Sequence, residues 1–242
     1  MKAGHVRHRP FPRAITMAFQ PIVDIAAKKI FAHEALVRGQ DGAPAHDILA
    51  SVNAGNQYAF DRLCRATALE WGSRLTLPGL LSINFLPNAV HDPHECMQAT
   101  AAAAQQAGWP LTRLMFEVNE QEAVAEPERL LVILQAYRAH GILVAIDDFG
   151  AAYSGLNLLA DFQPDLLKLD LALARGVSLD RPRQAIIRHT VGMCEELGVQ
   201  VVAEGIEKPD DCRALYDLGI SLQQGYLFSR PVIEGAPKVR FA

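Results

Sequence analysis

From residue 15 onward, short apolar runs rich in β-branched residues alternate with longer stretches of helical periodicity. The runs fall at 15–25, 30–37, 80–85, 114–118, 142–146, 166–169, 199–203 and around 220–224. Between them, 60–74, 127–140 and 183–197 carry apolar positions at helical spacing, and the Ala-rich stretch 99–107 is built from good helix formers. This alternation predicts βα units around a mostly parallel sheet. The first two runs are joined only by Ala26-Ala27-Lys28-Lys29, too short for a crossover helix, so they are expected to pair as an antiparallel hairpin. Eight runs separated mainly by helices point to an α/β fold, a TIM-like (β/α)8 barrel with one antiparallel early strand.

Polar residues close these runs. Glu34 lies near the end of the second, Asn84 of the third and Glu117 of the fourth. Asp147 and Asp148 close the fifth, Lys168 the sixth, Glu204 the seventh and Gln224 the eighth. Strand C-termini of a barrel converge on one face, where barrel enzymes carry their chemistry. A lone acid at a strand end can be a satisfied core group; the repetition around the whole barrel points instead to an active site.

Four carboxylates, Glu34, Glu117, Asp147 and Asp148, with Glu204 as a possible fifth, cannot gather ionised without cations. Oxygen ligands, with Asn84 as a neutral one, favour hard ions such as Mg²⁺ or Mn²⁺. The adjacent aspartates suggest two metals, with Asp147 shared, and such a pair suits phosphodiester cleavage. Lys168 could orient the attacking water, or it could simply form a salt bridge to a carboxylate; both readings stand. His33 should point away from the site, because it precedes Glu34 in a strand. His91 and His94 are expected in a solvated loop. Gly150 and Gly155 flank a loop following the aspartates that could be mobile.

Composition narrows the partners. Of 242 residues half are hydrophobic and 21% charged, ordinary for a globular protein, and the net charge of −4 offers no basic face for DNA. No stretch is long and apolar enough to span a bilayer. Cys64, Cys96, Cys194 and Cys212 form no C-x-x-C pair and are expected as free thiols in a reducing cytoplasm. Residues 1–13 are basic, contain Pro10 and Pro12 and lack an apolar secretion core. They are expected as a flexible arm preceding one domain, 14–242.

Several strings carry a family resemblance. These are Gln20-Pro21-Ile22-Val23-Asp24, Glu34-Ala35-Leu36-Val37-Arg38, Asn84, Phe116-Glu117-Val118-Asn119-Glu120, Asp147-Asp148-Phe149-Gly150 and Lys168-Leu169-Asp170. Ala203-Glu204-Gly205-Ile206-Glu207, Gln224-Gly225-Tyr226 and Arg230-Pro231 follow in order. Together they resemble the EAL-domain cyclic di-GMP phosphodiesterases over roughly residues 19–231, and the segments 34–39 and 82–90 are similar to those of EAL domains attached to blue-light BLUF sensors. The resemblance implies hydrolysis of one phosphodiester of this bacterial second messenger to linear pGpG.

Carried over, it makes Glu34, Asn84, Glu117 and Asp147 ligands of a first metal. Asp147 and Asp148 become ligands of a second, with Glu204 bound directly or through water. Lys168 is similar to the catalytic lysine that contacts water, Gln224 helps hold that part of the site, and Glu120 resembles the anchor of the loop after Asp148. Gln20, Pro21, Leu36, Arg38, Glu207 and Pro231 resemble contacts to the dinucleotide. A homodimer and a regulatory protein supplying sensor input are implied as partners. The chain departs from the family pattern at Asn119, Ala151, Ala152 and Gly155. A non-hydrolysing receptor or interaction scaffold on the same barrel is the alternative, but such members normally lack a metal ligand.

Overall fold

The computed structural model describes residues 9–90, 92–119, 127–151 and 155–241. The hairpin predicted at the start is present: β1 (Ile15–Asp24) pairs antiparallel with β2 (Lys29–Gly39), Gln20 opposite Glu34. Parallel strands follow: β3 (Leu80–Asn84), β4 (Leu114–Asn119), β5 (Leu143–Phe149), β6 (Leu166–Leu169), β7 (Gln200–Ala203) and β8 (Leu222–Gln224). β8 then meets β1 antiparallel, with Ile22 opposite Gln224, and closes an eight-stranded barrel. A short β9 (Val232–Ile233) adds to β1 beside Ala18 and Phe19. Since β1 runs against its neighbours, it reaches the rim with its N-terminal half, and Gln20 is the residue that arrives there.

Period-two alternation divides each strand between two environments. Ile22, Ala32, Met115, Ala145, Leu166, Val202 and Leu222 form an apolar floor inside the barrel. On β6, Leu166 and Lys168 share the inner face, while Leu167 and Leu169 join the outer core with Ile187, Val191 and Leu215. Those outer residues come from helices α7 (Arg181–Leu197) and α8 (Pro209–Asp217). The other half of the outer core packs α2 (Gln57–Arg74), α3 (Pro93–Ala107) and α4 (Pro127–Ala139) against Leu81, Ile83, Phe116 and Val144. Shorter helices α1 (Ala45–Leu49), α5 (Gly155–Asp161) and α6 (Leu171–Ala174) complete the described set.

One expectation is corrected. His94 is not in a loop: Asp92 caps α3, its carboxylate accepting from the backbone of His94 (2.7 Å) and Glu95 (3.3 Å), with Pro93 in the first turn. The Asp-Pro pair is an ordinary helix start, a cap followed by a residue whose missing N–H costs nothing there. His91 lies outside the described residues. Residues 9–13, the described part of the expected arm, make contacts with the domain. Arg9 donates its backbone N–H to the carbonyl of Gly55 (3.0 Å), Phe11 packs against Phe60 with ring centroids 4.8 Å apart and planes tilted by 51°, and Arg13 reaches both Asp41 (3.0 Å) and the carbonyl of Asp47 (2.9 Å).

The outer core also contains a buried ion pair. Arg65 bonds Asp61 one turn away on α2, and its Nη1 donates to Thr100 (2.6 Å), Cys96 (3.1 Å) and Tyr137 (3.3 Å). Asp61 accepts in turn from the backbone of Leu86, just past β3 (3.3 Å). Burial pushes the Asp61 carboxyl up, opposed by the Arg65 charge. Removing one partner of such a pair strands the other without water. Arg65→Met is therefore expected to cost about 3–5 kcal/mol in urea unfolding, and adding Asp61→Leu should return part of that loss. Strictly additive losses in the double variant would show that the pair is not a coupled unit.

Candidate active site

In a regular strand, neighbouring residues point to opposite faces, so Asp147 and Asp148 should not both reach one site. A bulge in β5 solves this. Ile146 pairs with Leu167 and Phe149 with Leu169, which leaves two aspartates opposite the single residue Lys168. Asp148 takes φ = +56°, a left-handed conformation that Asp tolerates better than most residues. As a result, oxygens of Asp147, Asp148 and Glu204 lie within 4.8 Å of one another.

Lys168 sits at the centre of the acidic group and is fully buried. Its Nζ lies 2.7 Å from Glu204, 2.9 Å from both Glu117 and Asp147, and 3.6 Å from Glu34. Burial opposes the ammonium's charge, but Asp147, Glu117, Glu204 and Glu34 outweigh it and hold Lys168 well above its usual range. Burial also pushes the Glu117 carboxyl up to about 8, with Lys168 opposing and Glu34 and Asp147 adding to the rise. Glu204 is raised by the same causes. Asp148 is raised by burial and by Asp147, with the Asn119 amide that donates to it acting the other way.

Amides and a hydroxyl hold the acids in place. Gln224 donates to Glu34 Oε2 (2.7 Å) and more distantly to Gln20 (3.4 Å), while Gln20 donates to the carbonyl of Ser229 (3.2 Å). Asn84 donates to the other Glu34 oxygen (3.2 Å), and Ser82 donates to Glu117 Oε1 (2.5 Å). Gly225 keeps Gln224 in register, because a Cβ there would lie 2.0 Å from the carbonyl oxygen of Ile206.

The residues fit divalent metal. Asp147 Oδ1 is buried and, although near Lys168, accepts no well-directed hydrogen bond. Five carboxylates against one ammonium leave the group with excess negative charge, and their hard oxygens suit Mg²⁺ or Mn²⁺.

Two clefts open from these acids. One, of about 490 Å³, is lined by Gln20, Glu34, Asp147, Asp148, Asp170, Arg175, Glu204, Glu207, Gln224 and Tyr226. The other, of about 340 Å³, has an apolar wall including Leu36, Leu49, Phe60, Ile83 and Leu86 beside Asn84 and Asn119. Thus Glu34, Asn84, Glu117, Asp147, Asp148, Lys168, Glu204 and Gln224 come together as the sequence predicts, and Gln20, Leu36 and Glu207 line the clefts.

Pro21 does not line them: it alternates with Gln20, pairs with His33 and is buried on the opposite face of β1. Arg38, half-buried, donates to the carbonyl of Val37 (2.7 Å), and Pro231 lies beyond the walls of both clefts. Glu120 and Ala152 fall outside the described residues. As expected, His33 faces away, bonded to the carbonyl of Pro78 (3.1 Å). Sequence reasoning missed Ser82, which shares a face with Asn84 and was open to the same alternation argument. It also missed Asp170, which caps α6, and Arg175, for which no sequence signal existed.

The sequence model of the EAL domain matches residues 11–231. Among curated proteins, the cyclic di-GMP phosphodiesterase RocR of Pseudomonas aeruginosa is 36% identical over 125 residues, covering 52% of this chain and 32% of RocR. The chain spans about half or less of the length of the curated relatives it matches. Among solved structures, a standalone EAL protein from Vibrio cholerae O395 in its c-di-GMP-bound form is 41% identical, with a TM-score of 0.91 over 95% of this chain and 97% of that one. Klebsiella pneumoniae BlrP1 in a manganese/cy-diGMP complex at pH 6 is 37% identical, with a TM-score of 0.84 over 97% of this chain and 61% of that one.

The raised Glu117 carboxyl gives a pH test. Folded Glu117 binds protons more tightly than the unfolded residue, so between the ordinary value of 4.5 and about 8 the folded state carries the extra proton. Its contribution to the stability of metal-free protein is therefore lost as pH rises through that window. Glu117→Gln is expected to gain Tm relative to wild type, in EDTA, on going from about pH 5 to about pH 8. A pH-independent difference would mean that Lys168 fully neutralises the ionised carboxylate.

Proposed function

The chain belongs to the EAL domain family, and from that premise we propose that it hydrolyses one phosphodiester bond of cyclic di-GMP to linear pGpG, using two divalent ions, Mg²⁺ or Mn²⁺. The observation that carries this reading is the β5 bulge, which turns Asp147 and Asp148 to the same side beside Glu204 and Lys168. Binding alone needs no such concentration of acids, and a carboxylate-rich floor would repel a phosphate.

Glu34, Asn84, Glu117 and Asp147 would hold one ion; Asp147 and Asp148, with Glu204 directly or through water, would hold the other. When bound, the ions supply positive charge to the phosphate and a water of lowered pKa. The chain's own residues do the rest. Gln224 and Asn84 grip the two oxygens of Glu34, and Ser82 grips Glu117, so the acids are preorganised. Lys168, kept protonated by its neighbours, can donate to the attacking water and aim its lone pair at phosphorus. Formation of a 5′-phosphate product requires the P–O3′ bond to break, with the 3′-oxygen taking a proton. Gln20, Leu36 and Glu207 sit on the cleft walls that would receive the dinucleotide, while Arg38 and Pro231 would need to be met by a ligand reaching past those walls. Glu120 as a loop anchor, a homodimer and a regulatory partner belong to the same reading and rest on family resemblance; Leu156, 63% exposed on α5, is an apolar residue that a second copy could cover.

Turnover of cyclic di-GMP, followed as pGpG by chromatography with Mn²⁺ or Mg²⁺ against EDTA, tests the reading. Metal-dependent pGpG is expected. Asp147→Asn should abolish it, and Lys168→Ala should lower kcat by about 10²–10⁴-fold with a much smaller change in KM. Ligand binding without turnover under any metal would replace hydrolysis with a receptor role.

A further inference from the structure

The acids at the barrel mouth are not all held in the same way. Lys168 makes ion pairs to Glu34, Glu117, Asp147 and Glu204, and among the described residues it makes none to Asp148. Gln224 and Asn84 also grip Glu34, and Ser82 grips Glu117. Asp148 stands outside this frame. It is half-buried, and the negative charges of Asp147 and Asp170 both act on it. Left to those forces, a carboxylate on a short side chain turns towards water, where repulsion is screened. A neutral donor opposes that turn: the Asn119 side-chain amide donates to Asp148 Oδ2.

The two strands explain how Asn119 reaches it. Asn119 is the last residue of β4 and pairs with Asp147 of β5. On a regular strand the residue after Asp147 would point to the opposite face, away from Asn119. The bulge and the left-handed backbone of Asp148 remove that separation, so the contact and the paired aspartates share one cause. An amide suits the task. It donates without bringing charge, so it fixes the carboxylate and leaves its negative charge for a cation.

We propose that Asn119 is a positioning residue for the second ion: its amide presets Asp148 beside Asp147 and Glu204 before metal arrives, and so sets the affinity for that ion. This inference rests on the two-ion reading of the site. Oxygens of Asp147, Asp148 and Glu204 already lie within 4.8 Å of one another. Without the amide, the ion would have to gather Asp148 as it bound, against side-chain freedom and the repulsion of Asp147. Groups that orient a metal ligand from behind change affinity by about 10–100-fold. Glu34 and Glu117, on the first ion's side, are fixed by Gln224, Asn84 and Ser82 instead, so the effect of Asn119 is specific to one ion.

The test is calorimetric titration of Mn²⁺ into metal-free wild type, Asn119→Ala and Asn119→Thr, with no nucleotide present. Wild type is expected to take up two ions. In Asn119→Ala one ion should bind about 10–100-fold more weakly and the other nearly as in wild type. The Mn²⁺ concentration giving half-maximal pGpG formation should rise in parallel. Asn119→Thr keeps a hydroxyl donor of shorter reach and should fall between the two. Two unchanged affinities in Asn119→Ala, or equal weakening of both, would overturn the proposal. So would Asn119→Thr no better than Asn119→Ala, which would tie the loss to packing rather than to the donor. Wild type binding fewer than two ions would instead overturn the two-ion reading beneath it; that outcome is seen in wild type alone, so the two failures are distinct.

Discussion

Everything at the mouth of this barrel depends on how five carboxylates share a space with one ammonium. Like charges brought together in a poorly hydrated pocket repel strongly, and protonation, counter-ions or structural rearrangement must relieve them. Lys168 relieves part of the repulsion by standing within 3 Å of Glu117, Asp147 and Glu204. Burial, and after it the neighbouring acids, still pushes the Glu117 and Glu204 carboxyls up, with Lys168 opposing the rise. The same lysine offsets part of the acids' charge and stands at their centre. Of the two readings the sequence left open for Lys168, the structure shows the salt bridge; the catalytic one belongs to the proposed function.

The supporting structure is arranged around that charge. The apolar floor of Ile22, Met115, Leu166 and Val202 seals the barrel below the acids and keeps the local dielectric low. Above the floor, neutral donors (Gln224, Asn84 and Ser82) fix carboxylates without adding charge. A rigid layer of amides is a suitable frame for ions, since it orients ligands but leaves their negative charge available.

Much of this was legible in the sequence. Alternating apolar runs gave the barrel, the short polar link after Ile25 gave the hairpin, and strand-end polar residues gave the acidic centre from Glu34 to Gln224. What was not legible depends on backbone detail or on distant parts of the chain meeting. Pro21 was assigned to the site by its place in a motif, yet the pleat sends it to the other face. His94 read as a loop residue because the capping role of Asp92 was overlooked, although the Asp-Pro pair signalled it. Arg175 carries no pattern at all; only the return of the chain at Glu207 places it in a cleft.

The bulge in β5 has a consequence for how such a centre can arise or be transplanted. Two neighbouring acids on an unbulged strand would face opposite ways, one into the barrel and one into the helical layer, whatever their identity. Substitution alone therefore cannot install this pair on a regular barrel strand; the strand must gain a residue relative to its neighbour and accept a left-handed Asp148. Loss of a single residue there would leave the remaining acids intact and still dismantle the centre, so its vulnerability lies in the length of the chain as much as in its chemistry.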